Sequence, residues 1–302
     1  MMELITSVNN QLVKESSQLK QKKYREEAGA FLVEGLRAVE EAVAAGKVQR
    51  LFFTPADDLR VQELLHLAEA AGASLYQTDG KVMSKLSDTQ CPQGLVAVVE
   101  LPRLTLAEVA VRAGCSTAVE KAGAAPAKKS VFSAGFAAKH HEGLPAGAYR
   151  PLVVLDRVQD PGNLGTIIRT ADAVGAAGLV LLKGTADAFA PKVVRASMGS
   201  LFHLPLVSGV SEEELTAWCH EIGYTLAACS LEGAKDLYQT DLTRRLALVL
   251  GNEAGGLSPA LEAAADIKVR IPMPGKAESL NVAMAAVVVL FEGLRQSRLQ
   301  QL

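Results

Sequence analysis

Apolar residues in the second half of the chain fall in short continuous runs, and each run ends in a polar loop. The clearest run is 246–250, and a second short strand is predicted at 267–271, where apolar residues alternate with Lys268 and Arg270; both lead directly into segments rich in Gly, Asn, Pro and Ser. A continuous apolar run of this length is typical of a parallel strand that is buried on both faces. The second loop opens a helix at Ser279, with its main apolar stretch at 280–294. Because α/β sheets build their ligand sites in the loops at the carboxyl ends of strands, we expect a site in these two loops.

Further strands and helices alternate along residues 151–229. The apolar runs predict strands at 151–156, at 179–182, near 202–204 and at 224–229, and the apolar spacing predicts helices at 164–174, 191–198 and 211–222. Asn163 precedes the first of these helices and is expected to cap it. Together with the two runs above, this alternation predicts a parallel sheet with helices on both faces.

Residues 1–103 also alternate strands with helices. Strands are predicted at 31–33, 51–53, 74–77 and 94–101, and helices at 36–45, at 57–71 and from Lys81. Before them, the apolar residues of 5–25 are spaced for one face of a single helix. This segment carries a basic cluster, which consists of Lys14, Lys20, Lys22, Lys23 and Arg25. The cluster is either a solvated helix face or a surface that contacts RNA phosphates.

The composition changes between the two patterned regions. Residues 104–150 are dominated by Ala, Gly, Pro, Ser and Lys, and no strand or helix periodicity follows residue 113. Such a composition is typical of a flexible linker, although the lysines leave open that the segment contacts RNA. We therefore divide the chain into an N-terminal α/β domain at 1–103, a linker with a flexible insertion at 104–150, and a second α/β domain at 151–302.

Composition and charge narrow the class of protein. With 302 residues, 49% of them hydrophobic, the chain is long enough for two domains. We expect no cleavable leader and no membrane span, because the longest apolar run, 282–291, is too short to cross a bilayer. The four cysteines are scattered without a C-x-x-C pair, so neither a disulfide nor a metal site is expected. A net charge of −2 means that any RNA affinity must come from local basic patches.

The two loops also limit the kind of ligand. Neither contains G-x-G-x-x-G or G-x-x-x-x-G-K-[ST], the patterns that hold phosphates. Gly251 and Gly275 let the backbone approach a ligand closely, while Pro272 and Pro274 stiffen the second loop. We therefore expect a ligand without phosphate groups that is held mainly by backbone atoms.

Three segments resemble the motifs of the SpoU (TrmH-type) RNA ribose methyltransferases. They read L-D-R-V-Q-D-P-G-N-L-G-T-I-I-R-T-A-D-A, G-N-E-A-G-G-L and I-P-M-P-G-x-x-E-S-L-N-V-A, and they occur in the family's order. An earlier segment, F-L-V-E-G-x-R-x-V-E-E-A, is similar to the small L30e-like substrate-binding domain of many of these enzymes. The resemblance implies an α/β trefoil-knot domain of the SPOUT class, with the knot at about 246–290. The strand pattern alone predicts an unknotted, doubly wound sheet, since knots are rare.

The resemblance also implies an activity and its site. Proteins of this family transfer a methyl group from S-adenosylmethionine to a ribose 2′-hydroxyl. The residues at the matching cofactor positions are Leu250, Gly251, Asn252, Ile271, Met273, Ser279 and Leu280. The candidate catalytic residues are Arg169, Asn163, Glu253 and Asn281. The candidate RNA-binding residues are the basic cluster Lys14, Lys20, Lys22, Lys23 and Arg25, together with Glu34 and Arg195.

Several of these residues have a second interpretation. Arg169 either orients the ribose and favours its alkoxide, or forms an ion pair with Asp172 or Glu253. It is not expected to act as a free base, because a guanidinium stays protonated in proteins. Glu253 either accepts a proton, fixes Arg169 or caps a backbone turn. Ser279 is a cofactor residue, a helix cap, or both. Arg195 contacts RNA or lies at a dimer surface.

We therefore expect a reduced, cytoplasmic, S-adenosylmethionine-dependent RNA ribose 2′-O-methyltransferase that acts on ribosomal RNA. The resemblance further implies a homodimer formed through the knot helices, and the apolar face of 280–294 is wider than one core-facing stripe. The alternatives are a tRNA 2′-O-methyltransferase, a catalytically inactive RNA-binding protein of the same fold, and a nucleotide-dependent oxidoreductase on a doubly wound sheet.

Overall fold

The structure is a computed structural model that describes residues 3–115, 149–230 and 234–300. These residues form two compact units. The N-terminal unit consists of residues 3–102 and 187–202, and the C-terminal unit consists of residues 103–115, 149–186, 203–230 and 234–300. Most of the linker predicted at 104–150 lies outside the described residues, and the predicted domain boundaries stay predictions.

A five-stranded sheet forms the centre of the N-terminal unit. Its strands are β1 Glu3–Ile5, β2 Ala30–Glu34, β3 Val48–Phe53, β4 Ser74–Thr78 and β5 Leu95–Glu100. They lie in the order β1-β4-β3-β5-β2, in which β1, β4 and β3 are parallel and β5 runs antiparallel to both of its neighbours. The four predicted strands are confirmed. Strand β1 is not predicted, because three residues carry too little periodicity to be recognised.

Five helices accompany this sheet before residue 102. They are α1 Gln11–Gln18, α2 Lys22–Ala28, α3 Leu36–Ala44, α4 Leu59–Ala70 and α5 Gly80–Leu86. The single helix predicted for 5–25 is wrong, because α1 and α2 are separate. Helix α1 begins after Asn10, whose side chain accepts the backbone N–H of Leu12 at 2.8 Å. The apolar positions of the two helices mimic one continuous face in the sequence, so spacing alone does not reveal the break.

The break between α1 and α2 places Arg25 inside the N-terminal unit. Arg25 is 3% exposed, and its guanidinium donates to the carbonyl oxygens of Leu19 and Lys20, each at 2.8 Å. In an uninterrupted helix those two carbonyls would accept backbone N–H groups of the next turn. The guanidinium also forms an ion pair with Asp187, so the charge of Arg25 is neutralised inside this unit.

A seven-stranded parallel sheet forms the centre of the C-terminal unit. Its strands are β6 Leu152–Leu155, β7 Gly178–Leu182, β8 Leu206–Val210, β9 Thr225–Cys229, β10 Lys235–Asp236, β11 Leu246–Leu250 and β12 Ile267–Arg270. They lie in the order β10-β12-β9-β11-β6-β7-β8, and every pair is parallel. The late strand β11 therefore lies in the middle of the sheet, and all five of its residues are buried. The predicted α/β architecture with a parallel sheet is confirmed.

The remaining helices follow the sheet strands in the sequence. They are α6 Leu106–Arg112, α7 Pro161–Ala173, α8 Pro191–Ala196, α9 Glu212–Glu221, α10 Pro259–Ala264 and α11 Val282–Leu299. Helix α8 belongs to the N-terminal unit, and the other five belong to the C-terminal unit. No helix in the described ranges is both long and apolar enough to cross a membrane.

The strand predicted near 202–204 is wrong. Ser200–Phe202 is a 3-10 turn, and β8 begins only at Leu206. Pro205 stands directly before β8, and a proline has no N–H to donate to a strand ladder. The strand therefore starts after the proline, although the apolar run begins before it.

The capping role predicted for Asn163 is also wrong. Helix α7 begins at Pro161 and is capped by Asp160, whose Oδ1 accepts the backbone N–H of Asn163 at 2.8 Å. A proline suits the first position of a helix because its φ is already close to the helical value. The helix therefore starts three residues before the predicted start at 164, and the Asn163 side chain is released for other contacts.

The helix start predicted at Ser279 is wrong for a similar reason. Helix α11 is capped by Asn281, whose Oδ1 accepts the backbone N–H groups of Ala283 at 2.9 Å and Met284 at 3.2 Å. Asparagine caps helices as well as serine does, so the sequence does not distinguish the two positions. Ser279 lies before the cap, in the loop.

We predict different stability effects for two basic residues of α2. Arg25→Ala removes one partner of a buried ion pair and is expected to lower the free energy of unfolding by about 3–5 kcal/mol. Lys22→Ala removes only an exposed pair with Glu26, whose N–O distance is 3.7 Å, and is expected to change it by less than about 0.5 kcal/mol. Urea unfolding followed by circular dichroism measures both variants. Equal effects would contradict the structural role of Arg25.

Candidate active site

A cavity of about 850 Å³ opens at the carboxyl ends of β9, β11 and β12. Two loops form most of its wall: residues 251–257, which we call the β11 loop, and residues 271–281, which we call the β12 loop. The structure places every residue at a predicted cofactor position on this wall, namely Leu250, Gly251, Asn252, Ile271, Met273, Ser279 and Leu280. The loops that are separate in the sequence are thus brought together around one space, and this space is the candidate ligand site.

The β11 loop is folded tightly back on itself. Asn252 and Gly256 exchange two backbone hydrogen bonds, each 3.0 Å long. A Cβ atom on Gly251 would lie 2.4 Å from the carbonyl carbon of Gly256, which is closer than real Cβ atoms approach other atoms. Only glycine therefore fits at position 251 without a shift of the backbone.

The oxygen and the nitrogen of the Asn252 side-chain amide both form hydrogen bonds that fix the loop. Its Oδ1 accepts the backbone N–H groups of Ala254 at 3.0 Å and Gly255 at 2.9 Å. Its Nδ2 donates to the carbonyl oxygen of Arg157 at 2.8 Å, in the segment that follows β6. Asn252 therefore shapes the cavity wall by fixing the path of the loop backbone.

Three of the four candidate catalytic residues form one hydrogen-bonded chain. The Asn163 amide donates to Glu253 Oε1 at 3.0 Å, and the Asn281 amide donates to Asn163 Oδ1 at 2.9 Å. Glu253 also accepts the backbone N–H groups of Gln159 at 3.4 Å and Asp160 at 3.5 Å. This chain ties the start of α7 to the β11 loop and to the cap of α11.

The environment of Glu253 makes its carboxylate a weak base. Partial burial opposes ionisation of this carboxyl, but hydrogen bonds from Asn163 and from backbone N–H groups outweigh that effect. The pKa of Glu253 therefore lies below its ordinary value, and the group is charged at neutral pH. This favours a positioning role for Glu253 over proton acceptance.

Arg169, the fourth candidate, lies on α7 with an exposed side chain. The ion pairs considered for it do not form among the described residues, because Asp172 bonds to His203 at 2.7 Å and Glu253 bonds to Asn163. Its guanidinium has no hydrogen-bond or ion-pair partner within the described part of the chain. It is thus available to a ligand.

The predicted RNA-binding residues differ in exposure. Lys14, Lys22 and Lys23 are exposed on α1 and α2, whereas Arg25 is buried. Lys20 is half-buried and donates to backbone carbonyl oxygens, and this partial burial lowers the pKa of its ammonium group. Exposed lysines remain suitable for phosphate contact, but the structure gives Arg25 a role in the fold.

Glu34 and Arg195 belong to one polar cluster of the N-terminal unit. Glu34 accepts the Ser87 hydroxyl at 2.9 Å and the Asp88 backbone N–H at 2.8 Å. The Arg195 guanidinium lies between two carboxylates, 3.6 Å from Glu34 and 3.5 Å from Asp88. The Glu34 carboxylate is therefore held by its own unit, and Arg195 is partly neutralised.

Several residues of the cavity wall are not predicted from the sequence. They are Cys229, Ser230, Glu262, Lys268 and Glu278. Burial raises the pKa of the Cys229 thiol to about 12, so the thiol is protonated at neutral pH. Lys268 and Glu262 form an ion pair 2.7 Å long. The sequence gives little indication of these residues, because it does not show which short elements are neighbours in the sheet.

Comparison with known proteins assigns a family to both halves of the chain. Residues 150–291 match the SpoU rRNA Methylase family, and residues 10–97 match the MRM3-like substrate binding domain. The chain is 31% identical to the 23S rRNA (guanosine(2553)-2'-O)-methyltransferase RlmP of Bacillus subtilis, over 96% of this chain and 98% of that protein. It is 33% identical to the 23S rRNA (uridine(2479)-2'-O)-methyltransferase of Streptomyces viridochromogenes, over 97% of this chain and 92% of that protein.

Solved structures show the same architecture. An AdoMet-bound rRNA methyltransferase from Sinorhizobium meliloti matches with a TM-score of 0.78 and 33% identity, over 97% of this chain and 98% of that chain. The SpoU methyltransferase AviRb from Streptomyces viridochromogenes, in complex with AdoMet, matches with a TM-score of 0.76 and 31% identity, over 95% of this chain and 98% of that chain. The SPOUT fold class expected from the three motifs is confirmed. By sequence and by fold, this chain belongs to the SpoU family of rRNA methyltransferases.

Proposed function

We propose that this chain transfers the methyl group of S-adenosylmethionine to a ribose 2′-hydroxyl in ribosomal RNA. The observation that carries the proposal is the convergence of the β11 and β12 loops on one cavity beside the Asn163–Glu253–Asn281 chain. Relatives that match almost the whole chain are named as 23S rRNA 2′-O-methyltransferases, which favours ribosomal RNA over tRNA.

The cavity fits a nucleoside methyl donor. Its volume of about 850 Å³ lies within the usual range of small-molecule sites. Glycine at position 251 brings backbone atoms to the cavity wall, and backbone N–H and C=O groups can read an adenine edge without charged side chains. Glu253 and Glu278 on the wall suit a donor that carries a positive sulfonium. When bound, that donor supplies an electrophilic methyl group.

Glu253, Asn163 and Asn281 set the geometry of the wall beside this cavity. Because Glu253 accepts from the Asn163 amide, the Asn163 oxygen faces Asn281. The same Asn281 caps α11, so its position is fixed from two directions. Fixed polar groups of this kind hold reactants in line for transfer without a covalent protein intermediate.

Arg169 is the group best placed to act on the RNA. Its guanidinium is permanently charged and has two edges that match a phosphate. Bound to a phosphate of the substrate, it would orient the ribose and stabilise the negative charge that develops on the 2′-oxygen. An exposed arginine with no partner among the described residues fits this role, whereas an arginine already engaged with a carboxylate does not.

Relatives of this chain are named for different bases at the methylated position. The two relatives described above are named for guanosine and for uridine, so a shared fold accommodates different nucleotides. Exposed lysines of α1 and α2 supply positive charge for RNA in the N-terminal unit.

The cytoplasmic location expected from the sequence stays a prediction.

We also propose a homodimer formed through α11. The exposed face of this helix carries Met284, which is 55% exposed, and Phe291, which is 46% exposed. Large apolar side chains at one helix surface are typical of an interface between subunits.

A transfer assay with labelled S-adenosylmethionine tests the activity. We expect label in the ribose of ribosomal RNA and little in tRNA. Label in tRNA alone would favour the tRNA alternative, and binding of RNA without transfer would favour an inactive RNA-binding protein.

Cofactor binding is tested by two glycine variants, one in the β11 loop and one in the N-terminal unit. Gly251→Ala forces its Cβ against the Gly256 backbone and is expected to weaken S-adenosylmethionine binding about tenfold or more. Gly80→Ala, at the start of α5, is the control, because Gly80 does not line the cavity and its Cβ would meet nothing within 4 Å. Isothermal titration calorimetry measures both dissociation constants. Unchanged binding by Gly251→Ala would place the cofactor elsewhere.

The role of Arg169 is tested by kinetics. Arg169→Ala is expected to lower kcat by about 100-fold to 1,000-fold, because one stabilising cation is lost in the transition state. The dissociation constant for S-adenosylmethionine should stay within about twofold of the original. Arg244→Ala is the control, since Arg244 is an exposed arginine whose side chain pairs with Asp241. Normal turnover by Arg169→Ala would rule out this role.

The dimer is tested by a charge on the exposed face of α11. Phe291→Lys is expected to weaken self-association at least about tenfold, because a buried lysine at an interface loses its hydration. Leu67→Lys, at a side chain that is 52% exposed in the N-terminal unit, is the control. Light scattering coupled to gel filtration reports the mass. A monomeric unmodified protein, or a dimeric Phe291→Lys variant, would contradict the proposed interface.

A further inference from the structure

Asp156 and Arg157 lie directly after β6 and form hydrogen bonds with the β11 loop and its two ends. Neither residue lines the cavity between the β11 and β12 loops. We propose that Asp156 and Arg157 are positioning residues that fix the β11 loop in the conformation that binds the methyl donor. This inference rests on the proposed function, since it assigns the loop to that ligand.

Asp156 bonds to both ends of the loop, through its backbone N–H at one end and through its buried carboxylate at the other. The residue is 1% exposed. Its backbone N–H donates to the carbonyl oxygen of Leu250 at 2.9 Å, where the loop begins. Its Oδ2 accepts the backbone N–H of Ser258 at 2.9 Å, where the loop ends. One residue thus fixes the distance between the two ends of the β11 loop.

Arg157 completes the charge balance of Asp156 and adds a third contact. Its guanidinium donates to both oxygens of Asp156, at 2.8 Å and 2.9 Å. Its backbone carbonyl accepts the Asn252 amide at 2.8 Å. Its φ of 55° lies in the left-handed region, which non-glycine residues seldom adopt. The contacts of its side chain and of its backbone hold this conformation.

The backbone N–H of Arg157 is fixed as well. It donates to the Thr185 hydroxyl at 3.1 Å, and this hydroxyl donates to the carbonyl oxygen of Leu155 at 2.9 Å. The unusual conformation of Arg157 is therefore supported from the segment after β7 as well as from Asp156. Together these contacts make the segment after β6 a rigid support for the loop.

Hydrogen bonds rather than apolar burial hold the exposed part of the loop. Residues 253–256 are exposed, so burial of apolar side chains does not hold them. A ligand that is read by backbone atoms gains affinity only if the backbone is already ordered, since ordering on binding costs conformational entropy. Loss of the Asp156 contacts should therefore appear in the affinity for the cofactor and not only in protein stability.

The structure offers a matched control for this argument. Glu292 on α11 is 8% exposed and accepts two hydrogen bonds from Arg295, each at 2.8 Å. It has the same chemistry as the Asp156–Arg157 pair and lies in the same unit, but it does not line the cavity. Glu292→Gln and Asp156→Asn both place an amide N–H₂ against a donor.

The test compares these variants in the full chain. Asp156→Asn is expected to raise the dissociation constant for S-adenosylmethionine about tenfold, with Glu292→Gln within about twofold of the unmodified protein. Arg157→Gln, at a side chain that is 41% exposed, is expected to shift the constant in the same direction and serves if Asp156→Asn fails to fold. Hydrogen exchange of the ligand-free protein should show faster exchange of the Ser258 amide in Asp156→Asn and not in Glu292→Gln.

Two results would overturn the proposal. One is unchanged cofactor affinity in both Asp156→Asn and Arg157→Gln, with the unmodified protein binding normally. The other is an equal loss of affinity in Glu292→Gln, which would indicate general destabilisation. Failure of the unmodified protein to bind S-adenosylmethionine would instead refute the proposed function, and the hydrogen exchange result would still report whether Asp156 orders the loop.

Discussion

The candidate site depends on the hydrogen-bonded contact between the β11 loop and the segment that follows β6. Strands β11 and β6 are parallel neighbours, so their carboxyl ends meet at the same edge of the sheet. Gly251 lets the loop close on itself, and Asn252 and Glu253 bond to Arg157 and Asn163 in the facing segment. If this contact were lost, the cavity wall would no longer have a defined shape.

The site divides into an ordered part and an accessible part. Asn163, Glu253 and Asn281 are hydrogen-bonded to one another beside the cavity. The hydrogen bonds to Glu253 lower the pKa of its carboxyl group and keep it charged. Arg169 is exposed and has no partner among the described residues. This division suits a reaction in which a small cofactor must be held without motion while a large RNA approaches from solvent.

The net charge of the chain does not show which basic side chains are exposed and which are buried. The chain carries a net charge of −2, yet α1 and α2 carry exposed lysines. Arg25 belongs to the same cluster in the sequence, but it is buried and paired with Asp187. The phosphate contact proposed for the N-terminal unit therefore rests on the basic side chains that the fold leaves in solvent.

Local signals in the sequence predict the strands of both sheets except β1, β8 and β10, and they also predict the two loops of the site and the family. Continuous apolar runs and long motifs are local signals, so no partner is needed to recognise them. Packing of the elements, by contrast, sets which residues cap α7 and α11, buries Arg25, and brings the Asp156 carboxylate to the Ser258 N–H at the end of the β11 loop. Each of these depends on a partner distant in the sequence or on a choice between equally good caps. Spacing along one chain does not contain that information, because strand order and hydrogen-bond partners are set only when the elements pack.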